Sequence, residues 1–259
     1  MRPFVKASCF LSGLFLYLSV APQVIVAADP VAGKQVAVTA KSTSDKAGKH
    51  PWRYFLYLPE DYDESAGAEW PLLLYLHGSS LRGKDLKKTK RYGPPSFVEK
   101  RPGFPFLTVS PQLPSGAWPA DALTSFLDEL LATYPIDPER VYLAGVSLGA
   151  MGAWTFAAAE PDRIAALVPI CAHGPASSAA ALTEMPIWAF HGAKDYIVPI
   201  GPHKKLIEAI KERGGNARLT VYPEGDHGNV IAPTFKNPEL LQWILEQERE
   251  NPQTGSERK

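Results

Sequence analysis

Cysteine is almost missing from this 259-residue chain. There are two, Cys9 and Cys171, and Cys9 falls in an N-terminal stretch that reads as a removable leader. The exported chain would keep Cys171 alone, which excludes an intramolecular disulfide and leaves an apolar core to hold the fold. Neither charge dominates: 27 basic residues balance 27 acidic ones. No basic stripe interleaved with aromatics appears, so a nucleic-acid partner is not expected. The six histidines are scattered, with no His-x-x-x-His and no cysteine pair, so no metal site is expected. Glycines 145, 149 and 152 are not followed by Lys-Ser/Thr, so they make no phosphate cradle, and no cofactor is expected.

What is there begins with the leader. Arg2 and Lys6 precede an apolar centre from Cys9 to Val20, and Val26-Ala27-Ala28 supplies small residues at its end. That is the pattern of a secretory signal peptide over residues 1–28, cleaved after Ala27 or Ala28. Ser12, Gly13, Ser19, Pro22 and Gln23 interrupt the run, which argues against a retained membrane anchor. Lys6-Ala7-Ser8 is a poor context for lipid attachment at Cys9. The expectation is a secreted or periplasmic protein, free of the membrane once the leader is gone, with residues 29–259 as one catalytic domain. A hydrophobic fraction of 45% is ample for its core.

Apolar strands alternate with amphipathic helices. Gln35 to Thr39 reads as an edge strand and residues 53–59 as a strand stopped by proline. Pro71 to Leu76 is almost continuously apolar, as expected of a strand covered on both faces. Residues 81–103, basic and rich in Gly and Pro, read as a loop with one helical turn near Phe97. Phe106 to Ser110 is another strand. Leu123, Phe126, Leu127, Leu130, Leu131 and Tyr134 recur at helical spacing. A strand over 141–146, a helix through Ala159, and strands over 164–172 and 186–190 follow. A helix marked by Leu206, Ile207 and Ile210, a strand at 218–222 and a closing helix around Leu240 to Leu245 complete the chain. The implied fold is α/β: a single doubly wound, mostly parallel sheet, with residues 173–184 too few for a lid domain.

The strand at 141–146 runs into Gly145-Val146-Ser147-Leu148-Gly149 and then a helix. A serine on so sharp a strand-to-helix turn needs a strained backbone, tolerable when its neighbours have no side chains. Alone the pattern is weak; its strength depends on a base and an acid at other strand ends. Reacting groups in open α/β sheets collect at the carboxyl edge. Asp195 follows the strand ending near Phe190, and His227 follows the last strand. Ser147, Asp195, His227 is then the chain order of this class of triad. Serine needs a base during attack; an imidazole, with an ordinary pKa of about 6.5, suits the task. Asp226 and Glu224 compete as the acid, but side chains beside His227 on its own loop rarely face it. The oxyanion donors expected are the N–H of Leu148 and that of Ser79, with Ser80 the second choice, in the loop after Leu76.

Four motifs in this order, Leu-His-Gly-Ser-Ser at 76–80, Gly-Val-Ser-Leu-Gly at 145–149, His-Gly-Ala-Lys-Asp-Tyr-Ile-Val-Pro at 191–199 and Asp-His-Gly at 226–228, resemble those of the α/β-hydrolases. The resemblance covers roughly residues 50–250. Within the superfamily the chain is most similar to small secreted esterases of the polyhydroxybutyrate-depolymerase and feruloyl-esterase type. Those are relatives of prolyl oligopeptidase catalytic domains, and phospholipase/carboxylesterase proteins are similar. The resemblance implies a Ser147–Asp195–His227 triad and an ester substrate, small-molecule or polymeric. It makes His77 a structural brace, and His191 has the same reading. His50 and His203 read as surface residues. Trp118 is expected to wall the pocket, with His173 and Tyr196 (beside Ile197) also facing substrate. A peptidase using the same triad, or a binding protein that has lost catalysis, are the competing readings.

Overall fold

The computed structural model describes residues 25–26, 30–45 and 48–249. The expected leader, apart from Ile25–Val26, and the polar tail from Asn251 lie outside the described residues. Among the described residues, nine strands form one sheet in the order β1-β2-β3-β5-β4-β6-β7-β8-β9. They are β1 (Ile25–Val26), β2 (Gln35–Thr43), β3 (Pro51–Tyr57), β4 (Trp70–Leu76), β5 (Leu107–Pro111), β6 (Ile136–Val146), β7 (Ala166–Ile170), β8 (Ile187–Gly192) and β9 (Ala217–Tyr222). From β5 to β9 every pairing is parallel, whereas β1, β2 and β3 extend the sheet antiparallel.

The continuous apolar run of β4 has its explanation in two cores. Leu72, Leu74 and Leu76 join one, with the buried faces of α1 (Ala120–Thr133), α2 (Leu148–Ala159) and α3 (Ile200–Lys211). Leu73 and Tyr75 point the other way, into a core shared with α4 (Ile231–Lys236) and α5 (Pro238–Leu245). Alternation along the strand therefore feeds both faces, which is what doubly wound means physically. In α1 the spacing read from the sequence is the buried stripe: Leu123, Phe126, Leu127 and Leu130 are all covered. Each such side chain contributes about 1.5–3 kcal/mol by leaving water.

Several boundaries differ from the sequence reading, β6 among them, which starts at Ile136, paired with Trp70, rather than at 141. β2 runs on to Thr43 through an irregular register after Thr39. The Glu129 carboxylate of α1 accepts from the N–H groups of Lys41 and Ser42 at 2.8 and 2.6 Å, so backbone groups that a ladder would leave open are satisfied. The segment read as a loop over 81–103 folds into short 3-10 turns at Ser79–Leu81, Leu86–Arg91, Pro94–Ser96 and Val98–Lys100. Leu86, Pro94, Pro95 and Val98 are buried there. Prolines and short caps such as Asp85, which accepts from the Lys87 N–H, stop each turn before an α-helix can propagate. Residues 176–182 likewise form a 3-10 segment, not a lid.

Candidate active site

Ser147 sits between the last residue of β6 and the first of α2 with φ 54° and ψ −118°. A side-chain-bearing residue there is strained. The turn closes because a Cβ at Gly145 would run into the Gly149 carbonyl, and one at Gly149 into the carbonyls of Leu76 and His77. Only hydrogen fits at either position. The Ser147 N–H donates to Ile170 O at 2.8 Å, tying the elbow to β7.

The three residues picked from separate strand ends meet here. Ser147 Oγ lies 2.8 Å from His227 Nε2. His227 Nδ1 lies 2.7 Å from Asp195 Oδ2. Asp195 Oδ1 accepts from the N–H groups of Ile197 and Val198 at 3.0 and 2.8 Å. The loops bearing the acid and the imidazole are stitched by backbone bonds, Ala193 N–H to Tyr222 O at 2.9 Å and Lys194 N–H to Gly225 O at 2.8 Å. The competing carboxylates are occupied elsewhere. Asp226 Oδ1 accepts from Gly228 and Asn229 N–H, capping its own turn, and those bonds hold its carboxyl below the usual range. Glu224 pairs with Lys194 on the surface.

The loop after β4 packs directly on the elbow: a side chain on Gly78 would meet Val146 O at 3.2 Å and Ser147 Cβ at 3.4 Å. Two braces fix it. His77 donates from Nδ1 to Gly78 O at 2.7 Å and accepts at Nε2 from the Leu113 N–H at 3.0 Å. One donor and one acceptor leave room for the neutral ring only, and burial pushes its pKa down to about 4. The second brace was missed in the sequence. Tyr92 Oη accepts from the Gly78 N–H and bonds Ser80 Oγ, both at 3.2 Å. Tyr92 stands amid a basic stretch without periodicity, so nothing local marked it. It also lines a cavity of about 360 Å³ between the 91–101 segment and α4, with Arg91, Phe97, Arg101, Ile231 and Phe235.

Two expectations are corrected. Trp118 does not wall the site: it is 4% exposed, stacks on Trp52 at 5.6 Å and packs against Gly152. Its indole N–H donates to His77 O at 3.1 Å, so it supports the loop from within the core. His203 is not a surface residue but 0% exposed, its Nδ1 2.8 Å from His191 Nδ1. It precedes Leu206 and Ile207 by three and four positions, on the buried stripe of α3. His50 is exposed, as read. His173 is half-buried and donates to Gly174 O at 2.9 Å. Tyr196 and Ile197 stand out at 90% and 74% exposure beside the acid.

Among the described residues, Cys171, Asp195 and His227 offer ligand atoms within 4.8 Å of one another. Burial, aided by the Asp195 charge, pushes the Cys171 thiol up to about 12, so it stays protonated. The other two are bonded to each other, and His227 also to Ser147.

Residues 120–233 match the dienelactone hydrolase family. No match is found among curated proteins. Among solved structures, a thermostable esterase is 30% identical with a TM-score of 0.75, over 83% of this chain and 63% of that one. The chain thus spans just under two thirds of that esterase. A mutant of the feruloyl esterase module from Clostridium thermocellum, complexed with sinapinate, is 16% identical with a TM-score of 0.65, over 89% and 97%. The acylaminoacyl peptidase of Pyrococcus horikoshii is 13% identical with a TM-score of 0.61, over 84% and 42%. The two more distant likenesses speak for the fold. With serine, imidazole and carboxylate meeting at the carboxyl edge of this sheet, the chain has the α/β-hydrolase fold, and its residues 120–233 are similar to the dienelactone hydrolase family.

Proposed function

We propose that the protein is an exported serine carboxylic-ester hydrolase that works through an acyl-enzyme. The observation that carries this is the unbroken line from Ser147 Oγ through His227 to Asp195, at 2.8 and 2.7 Å, on a strained elbow. Ser147 Oγ attacks the ester carbonyl while His227 Nε2 takes its proton. Asp195 orients the ring and stabilises the imidazolium. The N–H groups of Leu148, at the start of α2, and Ser79, in the braced loop, receive the developing oxyanion. His227 then gives the proton to the departing alcohol. Water attacks the acyl-enzyme, its proton passes to His227 and on to Ser147 Oγ, and the acid is released.

Short-chain, aromatic or polymer-borne esters are the proposed substrates. Residues 173–184 make no lid over the triad, and Tyr196 and Ile197 offer an exposed aromatic and aliphatic pair beside the acid. The cavity beside Tyr92 is of a size for one small acid or alcohol moiety. Likeness to a feruloyl esterase module complexed with sinapinate favours the aromatic class. A peptidase is the second reading, favoured by likeness to the acylaminoacyl peptidase, of which this chain spans 42%. The leader pattern over residues 1–28 supports export.

The test is hydrolysis of p-nitrophenyl butyrate by the purified protein, beside Ser147→Ala. The variant loses turnover by about 10⁴-fold or more. Turnover that persists in it would rule out Ser147 as nucleophile. Cleavage of acyl-peptides in preference to esters would move the assignment to the peptidase.

A further inference from the structure

The hydrogen-bond chain does not stop at Asp195. His191, near the end of β8, places Nε2 3.2 Å from Asp195 Oδ2 and 2.8 Å from Val198 O. Two acceptors face one nitrogen, so that nitrogen carries a proton. The other nitrogen, Nδ1, lies 2.8 Å from Nδ1 of His203 on α3. Both rings are 0% exposed. Burial holds His203 down to about 3, helped by the neighbouring His191 and His173. Burial also lowers His191, against the pull of the Val198 carbonyl and the Asp195 carboxylate. With both rings neutral, one proton arrangement satisfies every distance. His191 donates from Nε2 and accepts at Nδ1, and His203 donates from Nδ1.

That arrangement leaves His203 Nε2 bare, buried and without a partner among the described residues. An apolar side chain would fill the same space edge-on to Trp154 but would leave the buried His191 Nδ1 without its donor. The ring is therefore not explained by packing alone, and the polar contact it makes is the one to His191. The His191 Nε2–H, bonded to Val198 O, also lies 3.2 Å from Oδ2 of a carboxylate that already receives Ile197 N–H, Val198 N–H and His227, a longer and shared contact. The Asp195 carboxylate is then held by its own loop on Oδ1 and approached by both imidazoles on Oδ2.

We propose that His191 and His203 are positioning residues for the triad, forming a five-member chain Ser147–His227–Asp195–His191–His203 in which the buried pair sets the orientation of Asp195 and shares its Oδ2 with the base. The proposal rests on the catalytic reading of the first three. The charged or titratable groups that bear on Oδ2 are His227, His191 and the Cys171 thiol; Asp226 is turned into its own loop. Removing His191 leaves Oδ2 to His227 alone, which strengthens that bond and favours the imidazolium.

The experiment compares His191→Phe, His191→Gln and His203→Phe in the full chain, by p-nitrophenyl butyrate kinetics across pH, with thermal melts as the folding control. His191→Phe lowers kcat about tenfold with KM little changed, below the loss of a general base itself. The acid limb of its pH–rate profile moves up by about half a unit. His191→Gln keeps an N–H donor and recovers most of both, while His203→Phe gives a smaller change of the same sign. In the wild type, ¹⁵N NMR finds His191 protonated on Nε2 and His203 on Nδ1. A folded His191→Phe with the wild-type profile and kcat, a glutamine variant no better than phenylalanine, or the opposite tautomers would overturn the proposal. Should His191→Phe fail to fold, His203→Phe and the tautomers decide. A wild type inert toward every ester overturns the function itself, and the tautomers still decide whether the buried layer exists.

Discussion

His77 fixes a loop by proton count. Its ring spans the Gly78 carbonyl and the Leu113 N–H, and a second ring proton would point at a donor. The folded protein holds it at about 4 against 6.5 for the free ring. The unfolded chain therefore binds the proton first as pH falls. The stability this ring contributes is full above about 6.5 and is lost by about 4. The size of that loss is on the order of 3 kcal/mol for His77. Urea midpoints measured from pH 7 to pH 4 fall, and His77→Gln, which cannot titrate, has the shallower slope; parallel slopes would mean that the ring is free to protonate in the fold. The same scale shows what the sequence hid. His203 lies on the apolar stripe of α3 and was legible by spacing, had the stripe been extended one turn back. Trp118 was not, because a tryptophan after a strand can face either the site or the core, and only the approach of Gly152 and the His77 carbonyl decides.

Among the elements, the elbow was the most legible and is the least forgiving. Strand, small residues and helix are consecutive in the chain, so their geometry is encoded locally. The glycine at 149 lets α2 pass against the backbone end of β4. Gly149→Ala pushes these two elements apart and costs about 3 kcal/mol, with the Ser147–His227 contact broken as well. Paired thermal melts and ester kinetics check this: a variant that melts and turns over like the wild type would show that the helix can shift without disturbing Ser147. Helix α1 was equally legible, since its apolar spacing is its buried face. The 3-10 turns over 79–100 were not. Their burial depends on Leu86, Pro94, Pro95 and Val98 meeting the sheet, with no period to announce it.

For the whole molecule, the sheet order and the carboxyl-edge rule assembled the triad from residues 80 and 32 positions apart. The continuous apolar run of β4 was enough to foresee two covered faces. What the sequence could not supply were contacts between segments with no shared pattern. Tyr92 reaching Gly78 and His191 reaching His203 are examples, since each depends on where two distant backbones come to rest.

The bond from the Ser147 amide to Ile170 O places that backbone inside the network that holds β6 to β7. Active-site residues are commonly drawn from loosely held segments. Here the Ser147 amide is locked at 2.8 Å to the neighbouring strand, under a helix whose Gly149–Ala157 face is buried. In deuterated water its N–H will exchange at the pace of global opening, with the amides of Leu143 and Ala144, while the exposed Tyr196 amide exchanges early. A Ser147 amide that exchanges as fast as Tyr196 would contradict this. Slow exchange means that solvent meets the Ser147 hydroxyl but almost never its backbone, so that opening this elbow means opening the sheet.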